Sequence, residues 1–157
     1  MLWPEGCTED GQMEHRDWQG WARGERRGSV FLIQISGIAT GEVARALCAE
    51  ADRTIEDGAS VHFMNDWSEM TTFDTDFRKV MVHWGMSHPA KVKSFFILLR
   101  SAMVNVGVNM ASIPLRAVGV KLTSTTDRTI FEQRLQEALG EGARRRAGVD
   151  FGPWSGA

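Results

Sequence analysis

The sequence predicts an α/β domain, a mainly parallel sheet of four to five strands with covering helices. Three observations predict it. Residues 30–35, 61–64, 92–99 and 117–122 are short runs rich in β-branched and aromatic residues, the composition of buried strands. Between them apolar residues recur at helical spacing. Breakers (Gly37, Gly58, Gly85 and Pro89) fall where one pattern gives way to the next. Strands alternating with helices bury both faces of a parallel sheet.

Taken in order, "VFLIQI" at 30–35 is the first strand. Thr40 is placed to cap a helix, Glu42 sits in its first turn, and Val43, Leu47, Ala51 and Ile55 make its apolar face. Gly58 stops it. Residues 61–64 form the second strand, which is expected to end near Asp66. Asp74 then caps a helix bearing Phe73, Phe77, Val80, Met81 and Trp84 on one stripe. "VKSFFILL" at 92–99 is the most apolar run and a candidate for the sheet centre. Residues 101–112 fit strand and helix equally: Val104, Val106 and Val108 alternate, while Met103, Val106, Gly107 and Met110 share a helical face. A strand at 117–122 and a helix capped by Asp127, with Ile130, Phe131, Leu135, Ala138 and Leu139 inward, complete the domain.

The domain is expected over 29–139. Residues 1–28 are polar and broken by glycines, with Trp3, Trp18 and Trp21 interspersed, and read as a partly disordered extension. Residues 140–157 read as a flexible tail carrying Arg144, Arg145 and Arg146.

The 43% hydrophobic and 24% charged composition is that of a globular protein. A net charge of −2 gives no global basic footprint for nucleic acid. No apolar run is long enough to span a membrane. The start lacks a secretory signal pattern, and only Cys7 and Cys48 are present, which suits a reducing cytoplasm. Cys48 borders the apolar stripe of its helix and reads as a small core residue rather than a nucleophile. No P-loop and no Gly-x-Ser-x-Gly elbow occurs. His62, His83 and His88 invite a metal reading with Asp66, but the last two histidines are five apart and share no helix face as an i, i+4 pair would. No metal and no cofactor is expected.

The order of elements over 29–139 resembles the STAS domain, the fold of bacterial anti-sigma-factor antagonists, and more closely its SpoIIAA-like branch. In that family a central strand ends in a pattern near Asp-Leu-Ser, followed by an apolar residue and then Asp-Ser-Ser/Thr-Gly opening a helix. "DWSEMTTFDTDF" offers Asp66-Trp67-Ser68, Met70, Phe73 and Asp74-Thr75-Asp76. Asp76 and Phe77 stand where the family has a second hydroxyl and a glycine. The resemblance implies a non-enzymatic regulatory domain that contacts a protein partner, of the kinase or anti-sigma-like kind, through a strand-to-helix loop at 66–77. Asp66, Ser68, Asp74, Thr75 and Asp76 would form that loop, and Thr75 or Ser68 would be the modified hydroxyl. Asp76 would leave a fixed charge near the helix start, where a phosphate would otherwise sit.

Asp74 and Asp76 have a plainer explanation as helix cap and dipole partner. The loop lacks the glycine and trailing glutamate of an EF-hand. An alternative function follows from the likeness of SpoIIAA-like sequences to the lipid-binding Sec14 type of fold: a carrier of a small hydrophobic ligand, with Met103, Val106 and Met110 in a groove near 101–113. Homodimerisation is left open.

Overall fold

The computed structural model describes residues 12–17 and 19–146, with side chains as far as 141. Six strands form one sheet in sequence order: β1 (Gln12–Arg16), β2 (Gly20–Arg27), β3 (Val30–Ala39), β4 (Val61–Phe73), β5 (Val92–Leu99) and β6 (Leu122–Thr125). Strands β3 to β6 pair in parallel, as the alternation predicts, and β1–β2–β3 is an antiparallel meander on one edge. The sheet is therefore mixed, and larger than the four to five strands expected.

The extra strands come from residues read as an extension. Met13, His15, Ala22 and Gly24 are buried and alternate with exposed or half-buried positions, a period-two pattern too short to stand out. Asp17 turns the hairpin: its Oδ1 accepts from the amides of Gln19 (2.7 Å) and Gly20 (3.0 Å). Two glycines that look like breakers are close-approach positions. A Cβ on Gly20 would stand 2.1 Å from the Ser36 carbonyl oxygen, and one on Gly24 would stand 2.8 Å from Leu47 Cδ2. The domain thus starts no later than Gln12. Trp3, Cys7 and Trp18 lie outside the described residues.

Helices α1 (Gly41–Thr54), α2 (Thr75–Ser87) and α3 (Ala102–Ala117) cover one face. Their core includes Phe31, Ile33, Leu47, Phe63, Phe77, Trp84, Val104 and Leu115. Helix α4 (Arg128–Arg146) covers the other, packing Phe131 and Ala138 on Val30, Met64, Phe96 and Leu98. It extends through the first residues of the expected tail; residues 147–157 lie outside the description. Thr40 and Asp74 cap α1 and α2 as predicted, and Ser101 caps α3. The ambiguous segment 101–112 is helical. Its helix runs on through Pro114 and stops at Ala117, and Gly119 at φ +82° turns the chain. The strand expected at 117–122 therefore starts only at Leu122.

Strand β4 does not end near Asp66. It runs 13 residues to Phe73, because β3 continues beside it as far as Ala39. Two register shifts, between Gln34 and Ser36 and between Gly37 and Ile38, interrupt the pairing. Each bulge changes which face a side chain meets, so Trp67 and Met70 both enter the same core despite their odd spacing. That break in alternation made the end of β4 look like a loop.

Candidate functional site

The residues expected in a 66–77 loop form two separate groups. Asp66 and Ser68 lie on the α4 side of β4. The Ser68 hydroxyl donates to Asp66 Oδ1 (2.6 Å), and Arg128 of α4 donates to Asp66 Oδ2 (3.2 Å) and Ser68 Oγ (2.9 Å). Asp74, Thr75 and Asp76 lie at the start of α2, beside the start of α1. Asp74 Oδ1 accepts from the Phe77 amide (2.7 Å), and its Oδ2 accepts from the Gly41 amide (3.4 Å). One carboxylate thus ties two helix starts. Asp76 pairs with Arg45 of α1 at 2.8 Å, and Thr75 is exposed at the first position of α2. The loop 66–77 is corrected to a strand end plus a helix start, and its five polar residues do not converge.

The three histidines also separate. His62 Nδ1 meets Ser94 Oγ at 2.8 Å and its Nε2 meets Glu141 at 3.1 Å, on the α4 face. His88 stacks on Trp84, and His83 is exposed on α2. Burial pushes the Cys48 thiol up to about 12, with the Asp52 charge adding to it, so the thiolate is suppressed.

The groove expectation is partly displaced. Met103, Val106 and Met110 do not line an enclosed site; they are 67%, 60% and 54% exposed and, with Ile113 at 72%, form one outward stripe along α3. The helix carries no charge before Arg116. Two contacts join this stripe to the end of β4 and the first turn of α2: Thr72 Oγ1 lies 3.7 Å from Met103 Sδ, and Arg78 reaches Met110 Sδ at 3.8 Å.

Beneath α3, the opposite side of the helix does border a cavity. Gly107, Val108, Ala111 and Leu115 close it from above, and Trp67, Phe77, Phe95 and Ile97 from the sheet and α2. Its free volume is about 50 Å³ and its walls are almost wholly apolar. Through Arg78, Val82 and Ala111 it adjoins an open groove of about 520 Å³ bordered by Met86, Met110 and Pro114. Of the three residues expected in a groove, Met110 borders this open groove, while Met103 and Val106 line neither space. The signal for the cavity was there in Gly107 and Ala111, small residues four apart that let a helix sit close to its neighbours.

The architecture is that of a SpoIIAA-like fold. A protein of the DUF3478 family from Shewanella loihica PV-4, described as having that fold, superposes with a TM-score of 0.51 at 10% identity. The superposition covers 88% of this chain and 99% of the other. No family profile matches the sequence, and no curated protein matches it. No helix among the described residues is long and apolar enough to cross a membrane.

Proposed function

We propose that the chain is a cytoplasmic, non-enzymatic regulatory domain that docks a protein partner. The observation that carries this reading is the exposed, uncharged stripe Met103, Val106, Met110 and Ile113 on α3. Large apolar side chains left in water along one helix face are the feature by which an amphipathic surface recognises a partner. The contacts of Thr72 and Arg78 with the stripe's methionines extend the surface to the start of α2, beside Thr75. This shifts the proposed contact away from Asp66 and Ser68, which Arg128 engages. Affinity purification from the native host tests it. A stoichiometric partner should be retained by the wild type and lost from a Val106→Glu, Met110→Glu double variant with an unchanged circular dichroism spectrum. Equal retention by both proteins refutes the stripe as the contact.

The second reading is a carrier of a small hydrophobic ligand, favoured by the apolar cavity beneath α3 and its continuation into the groove beside Met110. Native mass spectrometry of protein purified from its host should then show a co-purifying small molecule. Bare mass for the whole population counts against it. Under the first reading a kinase-competent lysate should label Thr75 or Ser68 if the STAS-type switch operates, and an intact mass without phosphate excludes that switch.

A further inference from the structure

The cavity beneath α3 has a chemical bias. Trp67 forms part of its wall at 7% exposure, and its indole Nε1 is buried without a hydrogen-bond partner. The orphaned donor costs free energy unless an acceptor reaches it. The lining side chains offer no oxygen acceptor. Met81 has only a weakly accepting sulfur, 4.0 Å from Cys48 Sγ. The one charged group of the lining is Arg78, which has donors and no acceptor. Arg78 is half-buried where the cavity meets the groove, and its contact there is Met110 Sδ. Among the described residues no carboxylate pairs with it.

From Arg78, a cation with no carboxylate partner among the described residues beside otherwise apolar walls, we infer that the cavity and groove take an amphipathic carboxylic acid. Its carboxylate meets the Arg78 guanidinium, and its apolar body occupies the cavity and groove. The inner free volume of about 50 Å³ is smaller than the roughly 150 Å³ of an apolar cavity that holds benzene, so most of the body lies toward the groove. This rests on the carrier reading and narrows it to one ligand class.

Titration calorimetry with octanoate and with 1-octanol tests the inference on the full chain at neutral pH. Octanoate should bind about tenfold or more tightly than octanol, as expected for a charge-assisted hydrogen bond. Arg78→Met should abolish that preference and Arg78→Lys should keep most of it. Equal affinity of the wild type for the two probes, or a preference that survives Arg78→Met, overturns the acid-specific inference and leaves the carrier reading standing. Failure of both probes to bind overturns the carrier reading itself.

Discussion

Phe73, the last residue of β4, is seated on Gly107 of α3: a Cβ at Gly107 would stand 2.0 Å from the ring's Cζ and 2.7 Å from Cε1. The missing side chain is what lets α3 lie this close to the strand, and both residues border the cavity. Gly107→Ala should therefore destabilise the fold. Alanine gains about 1 kcal/mol in helix propensity over glycine. Overpacking a filled site costs roughly 1–3 kcal/mol. The overpacking should win, because Phe73 is also held against Phe77 with ring centroids 6.0 Å apart. Urea denaturation should show a lower midpoint with an unchanged slope. A higher midpoint would mean that the ring swings away freely.

Asp74 joins two helix starts, since its carboxylate accepts from the amides of both Phe77 and Gly41. Asp74→Ala should cost about 0.5–2 kcal/mol, the range for losing an N-cap. Asp74→Asn keeps one oxygen acceptor and should recover most of the loss. If the two variants are equally destabilised in thermal melts, the contribution is electrostatic rather than a capping hydrogen bond.

How much of this was legible beforehand differed along the chain. The parallel half of the sheet and the caps Thr40 and Asp74 follow from runs of apolar residues bounded by polar N-cap residues, and both signals are local. The hairpin of β1 and β2 was hidden because its alternation is short and its glycines read as breaks in a polar extension. Gly20 and Gly24 are in fact required by the neighbouring backbone and by Leu47, which only the tertiary structure reveals. For the candidate site, composition pointed to α3, but a helical pattern of small and apolar residues on two faces does not say which face is covered. Arg128, whose guanidinium engages Asp66 and Ser68, is distant in sequence and left no signal near them.

Glu141 fastens the later part of α4 to the sheet through Lys93 Nζ (2.8 Å) and His62 Nε2 (3.1 Å). The Lys93 hydrogen bond is the largest influence on its carboxyl and holds it below the usual glutamate value; partial burial opposes this, and His62 reinforces it. A carboxyl that is more acidic in the folded than in the unfolded state binds fewer protons when folded. Its stabilising contribution is complete above the unfolded value, near 4.5, and fades as pH falls through the lower folded value. Stability measured by denaturant titration should thus fall more steeply below about pH 4.5 in the wild type than in Glu141→Gln. Parallel profiles for the two proteins would remove Glu141 from the acid response.

Cys48 lies on α1, and its Sγ is 4.0 Å from Met81 Sδ. Burial, aided by the nearby Asp52 charge, lifts its thiol to about 12. Almost none of it is thiolate at neutral pH, and the thiolate is the species that alkylates. In native buffer at pH 7.5, peptide mass spectrometry should find Cys48 unmodified by iodoacetamide long after the same residue in denaturant is fully labelled. Urea added below the unfolding midpoint should raise the labelling rate only in proportion to the unfolded fraction, because reaction requires the thiol to leave the core. Rapid labelling of the native protein at a rate independent of urea would place Cys48 in solvent and make it available for chemistry.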